Sequence, residues 1–582
     1  MTAAPRWRVV ARDGEQVVVV DLDDSRSEVA RIRVPANAWP ALASVEGGVA
    51  TGDTTRWVWN DTTHWYPQVL AAGAVIARCH DLRLCHAILR DSTMVVGADD
   101  LRAATSWDAG AVDTAGTAAA VAPTLFDLEA SATPGGAALP ADIDAVLAEF
   151  RRQQDALGSA TDPARLRLLL AAESAGALLA AELHAAGLPW RRGIHEQILE
   201  DVLGERGPAG GVPTRIQEVG AVVRAALEDP AASLDSQPKL LRSLHRIGVM
   251  AQSTSRWELA EYDHPVVAPL LEYKKLTRLA SANGWAWLEE WAPAGRFRPV
   301  YVPGGVVTGR WASSGGGALQ LPRMLRPAVH ADEGWMLVVA DVAQLEPRVL
   351  AAMAGDLQLA DAARGRDLYD GIVSSGTVST RAEAKVAMLG AMYGATTGDS
   401  GRLVPALRRA YPRAMALVDD AARVGDDGGV VTTWLGRSSP PPSERWRELQ
   451  GQASDSDASE ADQTRARRAS RDRGRFTRNF VVQGTAAEWA LAWLAGVRTA
   501  LQELPDCPPA EAAVASGAVF SRRAHLCFFL HDEIIVHTPA AHADRVAEIV
   551  RSAAASAAHL LFGGFPIDFP LDLRITPDAG KA

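Results

Sequence analysis

Short apolar runs rich in β-branched residues alternate along the chain with longer runs that carry a helical repeat. Short apolar runs with polar boundaries are typical of buried strands, and a repeat of three to four residues is typical of helices. Strands are predicted at 16–22 and near 569–575, in the run that ends at Asp341, and on both sides of His531-Asp532-Glu533. Helices are predicted over 166–188, 265–279, 357–424 and 543–561.

Two polar stretches interrupt this pattern. Residues 103–140 are rich in Ala, Gly, Thr and Pro and are predicted to form a loop or linker. Residues 438–474 begin with Ser438-Ser439 and three prolines, continue with an acidic patch and end in a run of arginines. This composition predicts a mobile insertion and not a separate domain. A chain of 582 residues is long for a single core, so we expect about two to four domains.

Composition narrows the class of protein. There is no apolar run long enough to span a membrane and no apolar signal core after Met1, so a cytoplasmic protein without a membrane partner is expected. The four cysteines lack metal-ligand spacing and are expected to be reduced thiols. The net charge of −11 argues against a protein that covers nucleic acid without sequence preference. It leaves open an enzyme with a locally basic cleft, because the distribution of charge matters more than its sum.

Two aspartates are the first candidates for chemistry. Asp341 and Asp532 each follow a predicted strand. An Asp that only caps a turn is common, but two such strands side by side would bring both carboxylates to one edge of a sheet. Carboxylate oxygens are the ligands that Mg²⁺ prefers, with substrate phosphates completing its coordination. Pairs of such ions are used by polymerases and nucleases.

Residues 380–394 form the second candidate. Arg381, Lys385, Leu389 and Tyr393 are spaced by four and would follow one slowly drifting face of a helix. Two cations, an apolar residue and an aromatic ring suit a nucleoside triphosphate. A solvated helix with two exposed cations fits the same pattern about equally well, so this segment alone does not decide between them.

Polar residues further along suggest contacts to nucleic acid. Arg475, Asn479 and Gln483 again repeat by four, and such side chains suit nucleic-acid backbone and base edges. Upstream, Arg310 lies beside a Gly/Ser turn and Gln320 follows it closely. The arginine run fits either a solvated linker or sequence-independent affinity for phosphates. Its members are Arg465, Arg467, Arg468, Arg471, Arg473, Arg475 and Arg478.

Taken in order, these segments resemble the family A DNA polymerases, the bacterial DNA polymerase I family. The resemblance runs from about Glu173 to the C-terminus and includes Ser253-Thr254-Ser255 and Glu272-Tyr273-Lys274-Lys275-Leu276. It implies an α/β multidomain fold, with an RNase H-like, exonuclease-type N-terminal domain followed by a right-hand polymerase of thumb, palm with antiparallel sheet, and helical fingers. The implied segments are an exonuclease-like domain (1–140), the start of the palm and the thumb (141–295), palm (296–356), fingers with the polar insertion (357–474) and palm (475–582).

The resemblance also implies roles for the candidate residues. Asp341 and Asp532, with the carbonyl of Val342, would hold two Mg²⁺ ions, for which Mn²⁺ could substitute; Glu533 is a weaker candidate ligand. Lys385 would act in catalysis by protonating pyrophosphate. The residues implied to contact the deoxynucleoside triphosphate are Arg381, Lys385, Leu389, Tyr393, Glu346, Gln344 and His531. Those implied to contact primer-template DNA are Arg310, Gln320, Arg475, Asn479 and Gln483. A monomeric enzyme of DNA replication or repair is expected.

Three departures from the family pattern carry information. Val342 and Ala343 stand where the family has Tyr-Ser. Pro347 follows Glu346 and is tolerable only in a first helical turn. Leu389 stands where the family has an aromatic residue, which predicts altered sugar discrimination and weaker nucleotide affinity without loss of chemistry.

The N-terminal region departs further. A proofreading exonuclease of this family needs Asp-x-Glu on a first strand, and we assign Val20-Asp21-Leu22-Asp23 to that strand, without the Glu. In residues 78–86, Asp81 stands at an Asn position and Cys85 at a catalytic Asp position, and a thiol is a soft, poor ligand for Mg²⁺. A degenerate domain without proofreading is therefore predicted. Two alternatives stay open: a catalytically weak polymerase fold that binds primer-template DNA, and a bifunctional 3′–5′ exonuclease/polymerase.

Overall fold

The computed structural model describes residues 6–46, 55–108, 138–207, 211–394 and 398–580. Most of the predicted linker at 103–140 lies outside these ranges. The chain forms two compact units. The larger comprises Met1–Gly187, Pro299–Leu319 and Asp332–Thr576, and the smaller comprises Leu188–Arg298, Gln320–Ala331 and Pro577–Ala582.

The N-terminal part of the larger unit is built on a five-stranded mixed sheet. The strands are β1 (Trp7–Asp13), β2 (Gln16–Leu22), β3 (Glu28–Pro35), β4 (Arg56–Trp59) and β5 (Cys79–Asp81). Their order is β3-β2-β1-β4-β5, with β1, β4 and β5 parallel and β2 antiparallel to both of its neighbours. The helices of this part are α1 (Trp39–Glu46), α2 (Thr62–Ala71), α3 (Leu82–Asp91), α4 (Asp99–Ala103), α5 (Ile143–Gly158) and α6 (Pro163–Ala186).

Alternate residues of β2 enter two different cores. Val17 and Val19 pack in a tryptophan-rich cluster that includes Trp39 and Trp65. Val18 and Val20 pack in a second cluster with residues of α5 such as Phe150. Because successive side chains of a strand point to opposite faces, this sheet is covered on both sides. That is why the strand predicted at 16–22 is continuously apolar.

The first strand of this sheet is not the one assigned from sequence. Residues 7–13 form β1, whereas Asp21 lies on β2. Two arginines, Arg8 and Arg12, interrupt the apolar run of β1 and made this strand hard to recognise in the sequence. Arg8 pairs across the ladder with Asp21, at 2.7 and 2.9 Å. The assignment of 20–23 to the first strand was therefore wrong. The only acid of the true first strand is Asp13 at its end, and the Asp-x-Glu that begins there, Asp13-Gly14-Glu15, continues into the turn after the strand and does not lie within it.

A second sheet forms the base of the C-terminal half. It contains β10 (Trp335–Val342), β11 (His525–Leu530), β12 (Glu533–Pro539) and β13 (Leu571–Thr576), in the antiparallel order β11-β12-β10-β13. A small hairpin of β8 (Val300–Val302) and β9 (Ala312–Gly315) precedes it in the chain. The strands predicted around Asp341 and around His531-Asp532-Glu533 are present, and the last strand lies close to its predicted place.

Helices make up the rest of the larger unit, and the prediction of helical patterning over 357–424 is confirmed. They are α13 (Leu345–Ala354), α14 (Leu357–Ala363), α15 (Leu368–Ser374), α16 (Arg381–Tyr393), α17 (Gly398–Ala410), α18 (Pro412–Asp426), α19 (Glu444–Ser454), α20 (Glu460–Leu501), α21 (Gly517–Phe520) and α22 (Ala543–Phe562). Pro347 lies in the first turn of α13, the one place where it is compatible with that helix.

Helix α20 corrects the prediction for 438–474. The segment is not an irregular insertion, because α19 and the first part of α20 occupy most of it. Ser459 and Asp462 form a capping box that starts α20. Its most apolar window is long and hydrophobic enough to cross a membrane by composition, but 89% of that window is buried inside the protein, as in a core helix.

The smaller unit is mainly helical. It contains α7 (Arg192–Leu203), α8 (Thr214–Ala226), α9 (Gln237–Arg246), α10 (Arg256–Leu259), α11 (Val267–Asn283), α12 (Trp285–Trp291) and the two-stranded pair β6 (Leu188–Pro189) and β7 (Arg296–Phe297). Trp190, Trp287 and Phe297 pack together in its interior. The division of the chain into thumb, palm and fingers stays a prediction.

Candidate active site

The sheet of order β11-β12-β10-β13, which is predicted to be the palm, brings the two predicted aspartates together. Asp341 lies at the end of β10, in register with Glu533, the first residue of β12. Asp532 lies in the two-residue turn between β11 and β12, where His531 adopts a left-handed conformation with φ 56°. The backbone N–H of Val342 donates to the carbonyl oxygen of Asp532 at 2.9 Å. The two motifs are therefore joined directly, although 532 − 341 = 191 positions separate them in the chain.

Two side chains at this edge of the sheet, Asp532 and His531, have shifted pKa values. Burial, and next the charge of Asp341, raise the pKa of Asp532 to about 7. Burial and the nearby Arg310 lower the pKa of His531 to about 4, so this imidazole is neutral at physiological pH. Two carboxylates that resist simultaneous ionisation favour a bound cation.

The donor set fits Mg²⁺ better than a transition metal. Over the ranges that the structure covers, no group of three or more His, Cys, Asp or Glu side chains is arranged to hold a metal ion. The aspartate pair therefore does not form an all-protein cage. Mg²⁺ is typically held by one or two carboxylates with water and substrate phosphates as the other ligands. Glu533 is buried and paired within the sheet, which leaves Asp341 and Asp532 as the better donors.

A cavity of about 250 Å³ opens beside Asp532. It is lined by Gly309, Arg310, Trp311, Gln344, Leu345, Glu346, Pro347, Tyr369, Leu389, Tyr393, Ala486, Ala487, Leu491, Phe529, His531 and Asp532. Seven of the residues predicted to contact nucleotide, metal or DNA are in this lining: Arg310, Gln344, Glu346, Leu389, Tyr393, His531 and Asp532. The sequence motifs thus converge on one cavity.

Glu346 organises the wall of this cavity. Its carboxylate forms an ion pair with Arg310 and accepts a hydrogen bond from the Tyr393 hydroxyl at 2.5 Å. Burial and the Glu346 charge raise the pKa of Tyr393, so its hydroxyl stays protonated and donates. Gln344, at the start of α13 with φ 49°, donates to Asp367 at 2.9 Å. The side chains of this wall are therefore held in place before any ligand arrives.

The helix predicted from the four-residue repeat is α16, which begins with a capping box of Thr380 and Glu383. Its C-terminal residues Leu389 and Tyr393 line the cavity, whereas Arg381 and Lys385 do not. Arg381 is half exposed and bonds to Asp367 at 2.7 Å, and Lys385 is exposed. The two cations lie on the exposed N-terminal half of the same helix.

The predicted DNA contacts on α20 differ in their surroundings. Gln483 is buried and accepts from the Thr308 hydroxyl at 2.9 Å, which joins α20 to the loop that carries Arg310. Arg475 is exposed, and its side chain packs against Gly394. A Cβ added to Gly394 would lie 3.2 Å from Arg475 Cγ. Asn479, which lies between Arg475 and Gln483 in the sequence, is half-buried. Gln320 belongs to the smaller unit, where Arg278 bonds to it at 3.4 Å.

Two residues of the site were missed in the sequence. Asp367 accepts hydrogen bonds from both Gln344 and Arg381. The only signal for it in the sequence is its position just before α15, where it caps the helix. Arg348, to which sequence analysis assigned no role, is fully buried and donates to the carbonyl oxygens of Ala343, Ala363 and Arg366. It fixes the turn that follows Asp341.

The exonuclease-like residues form a closed cluster. Asp81 is fully buried and accepts from the backbone N–H groups of Thr62 and Leu84, at 2.7 and 3.0 Å. Cys85 is fully buried, and burial raises the pKa of its thiol. Its sulfur lies 3.6 Å from Ser174 Oγ and 3.8 Å from His80 Nδ1. These side chains fill the space around Asp81, and all four cysteines are buried free thiols.

Comparison with known proteins agrees with this geometry. The family model described as DNA polymerase family A matches residues 237–576, more than half of the chain. The chain belongs to this family. A thermostable DNA polymerase I of Thermus thermophilus is 26% identical over 362 residues, which cover 57% of this chain and 38% of that protein. A DNA polymerase I of Chloroflexus aurantiacus is 28% identical over 342 residues, which cover 54% and 32%.

The chain thus aligns with only about a third of the length of these relatives. Among solved structures, the POL domain of Pol1 from M. smegmatis, in complex with DNA primer-template and dNTP, has a TM-score of 0.64 at 16% identity. The match covers 98% of this chain and 95% of that one, and it shows a shared fold.

Proposed function

We propose that this chain is a template-directed DNA polymerase that adds deoxynucleoside triphosphates to a primer 3′-hydroxyl and releases pyrophosphate. The observation that carries the proposal is the meeting of Asp341 and Asp532 at one edge of the palm-like sheet, beside a cavity that Glu346, Leu389 and Tyr393 line. Membership of the family and the primer-template and dNTP bound to the solved relative support the same substrates.

Asp341 and Asp532 would hold the divalent ions. When bound, Mg²⁺ activates the primer hydroxyl and stabilises the charge that develops on the triphosphate. The protein's own contribution is to orient both carboxylates, through the Val342–Asp532 backbone bond and through Arg348.

The helix α16 would bind the triphosphate. Arg381 and Lys385 are exposed on its N-terminal half, and within the described ranges no carboxylate pairs with Lys385. Lys385 is the candidate to donate a proton to the pyrophosphate oxygen as the P–O bond breaks. Leu389 and Tyr393 would meet the sugar and the base.

Glu346 would select the deoxyribose. Its carboxylate is held by Arg310 and Tyr393, so it cannot swing away from a nucleotide that enters the cavity. A ribose 2′-hydroxyl directed at this pair would collide with it or displace one of its partners. Discrimination then rests on steric exclusion by a side chain that is fixed in advance.

We further propose that residues 1–140 are a degenerate exonuclease-like domain without proofreading activity. The place of Asp13-Gly14-Glu15, at the end of β1 and not within it, and the fully buried Cys85 support this. The departures from the family pattern at Val342, Ala343 and Leu389 favour the alternative, a polymerase fold that only binds primer-template DNA. This alternative does not explain why two aspartates are paired at a candidate metal site.

Primer extension on a primed template with Mg²⁺, beside a lane without nucleotides, tests both proposals. Extension in the first lane without shortening in the second is the expected result. Shortening of the primer that persists in Asp341→Ala would show an active exonuclease. That result would contradict the proposal that residues 1–140 lack proofreading activity. Binding of the template with neither extension nor shortening would support the binding-only alternative.

A further inference from the structure

The first half of α20 exposes two arginines that form no ion pair among the described residues, although the charge of Arg471 acts on Asp426 from beyond ion-pair distance. Arg465 pairs with Asp462, and Arg468 lies 3.9 Å from Asp472. Arg467 and Arg471 are exposed, and in the ranges that the structure describes no carboxylate lies within ion-pair distance of either. Arg467 bonds only to Gln463, at 3.0 Å, and Arg471 to the carbonyl oxygen of Arg467, at 3.3 Å. Exposed guanidinium groups that lack an anion are ready to bind one.

These two arginines continue the spacing of the predicted DNA contacts. Positions 467, 471, 475, 479 and 483 follow one another by four along a single helix. Each step advances about 6 Å and turns about 40° around the axis, so Arg467 lies about 12 Å beyond Arg475 and about 80° further around the helix. Gln483 lies beside the loop of Arg310, and Arg475 crosses Gly394, next to the cavity residue Tyr393. The series therefore starts at the cavity wall and continues away from it.

The helix is braced where the two arginines lie. Gln450 of α19 donates to the carbonyl oxygen of Ala466 at 3.0 Å, and Ala466 is buried. Arg473, on the opposite side, donates to the carbonyl oxygens of Gly429 and Pro440 at 2.6 and 3.1 Å. Arg467 and Arg471 are thus presented by a fixed element and not by a mobile insertion.

We propose that Arg467 and Arg471 bind phosphates of the unpaired template strand ahead of the templating base. The inference rests on the proposed function. In the proposed function, the primer end lies at Asp341 and Asp532, and the incoming nucleotide lies at Leu389 and Tyr393. The template base that pairs with this nucleotide therefore lies near Tyr393, and the template strand beyond that base is single-stranded. The arginine series begins beside Tyr393. A row of cations along a backbone track is how single strands are held without regard to sequence.

The test compares two double variants in the full chain. Arg467→Gln/Arg471→Gln removes the two arginines that form no ion pair among the described residues, and Arg465→Gln/Arg468→Gln removes two acid-paired arginines from the same stretch of helix. Gln has nearly the helix propensity of Arg, so α20 is retained in both. Binding is measured against salt on two primer-templates, one with a single unpaired template nucleotide and one with about eight, within the range that single-strand binding sites cover.

The proposal predicts a selective loss. On the long overhang, the salt dependence of the first variant should be shallower by about 1.4 in log K against log salt, since each phosphate contact in a single strand contributes about 0.7. On the single-nucleotide overhang it should match the parent, and the second variant should match the parent on both. An equal loss on both templates, or no loss on either, would overturn the proposal. If the parent binds in an overhang-dependent way but does not extend primers, the proposed function fails while this inference holds.

Discussion

At the scale of single residues, the site depends on a few side chains that the fold brings together from distant segments. Glu346 is fixed by Arg310 and Tyr393, and Gln344 is fixed by Asp367. Such a network holds the cavity in one shape, so a change in a lining residue other than Asp532 should alter substrate choice more than it alters the chemical step.

Leu389 is the residue where this expectation is sharpest. Leu389→Phe restores a flat surface in the cavity wall, and an aromatic contact adds about 1 kcal/mol, or roughly fivefold in nucleotide affinity. We expect tighter deoxynucleotide binding and a changed ratio of deoxy- to ribonucleotide incorporation, with the maximal rate nearly unchanged. Single-turnover incorporation against nucleotide concentration measures all three.

The matched control is Leu357→Phe, because Leu357 is 55% exposed and lies outside the cavity lining. This variant should behave as the parent does. Kinetics of Leu389→Phe that equal those of the parent for both sugars would contradict the role assigned to this position.

The sequence could predict these residues only where a short motif carried them. Asp341, Asp532, Leu389 and Tyr393 stand in local patterns, and the structure brings them to one edge or one cavity. Asp367 and Thr308 act through partners far away in the chain, at 2.9 Å from Gln344 and Gln483 respectively. No local spacing encodes such pairs, so they appear only in the fold.

At the scale of elements, α20 connects most of the functional features of the larger unit. It carries Arg475, Asn479 and Gln483, and it contributes Ala486, Ala487 and Leu491 to the cavity. Sequence analysis missed the first half of α20, because the prolines and charges of 438–474 were interpreted as a mobile insertion. The signals for a helix were the capping box at Ser459 and the many helix-forming residues after it. The apolar second half, which packs in the core, could be predicted.

Glu488 of α20 gives a pH-dependent test of this packing. It is buried beside the turn at 433–436, where it accepts from the Thr433 hydroxyl and from the Leu435 N–H. Burial raises the pKa of Glu488 to about 7, above the value of about 4.3 expected in the unfolded chain. The folded protein thus holds a proton that the unfolded chain releases, and this contribution to stability is complete below the unfolded pKa and lost as pH rises through 7.

Glu488→Gln, which stays neutral, should therefore lose less thermal stability than the parent as pH rises from about 5 to 8. The measurement is Tm against pH for both proteins. Glu503→Gln, at an exposed position just after the same helix, is the control and should parallel the parent. Parallel curves for Glu488→Gln and the parent would contradict the buried, protonated state of Glu488.

At the scale of the whole molecule, the N-terminal sheet and the C-terminal half of the larger unit share one buried polar network. Arg498 of α20 donates to the carboxylate of Glu182 at 2.6 to 3.0 Å and to the carbonyl oxygens of Ile76 and Ala77. Tyr66 of α2 donates to the same carboxylate at 2.5 Å. If residues 1–140 have no catalytic activity, as we propose, this network gives a reason for their retention, because the C-terminal half of the larger unit would depend on them for stability.

Arg498→Met tests that dependence. Removing one partner of a buried pair leaves the Glu182 charge uncompensated, so a loss of about 3–5 kcal/mol is expected. Arg192→Met, which breaks an exposed pair with Glu196, should cost about 0–1 kcal/mol. The midpoints of urea unfolding compare the two, and Arg498→Met combined with Glu182→Leu should recover part of the loss. Equal, small effects of Arg498→Met and Arg192→Met would show that the network does not join these parts.

The central claim is that Asp341 and Asp532 form the metal-binding pair of a DNA polymerase. The most direct measurement is single-turnover nucleotide incorporation by Asp341→Asn and Asp532→Asn, run together with their affinity for primer-template DNA and beside Asp13→Asn as a distant control. The account predicts that both variants bind DNA like the parent but lose at least about 3 kcal/mol of transition-state stabilisation, a factor of roughly one hundred or more in rate. Incorporation at the parental rate in either variant would contradict it.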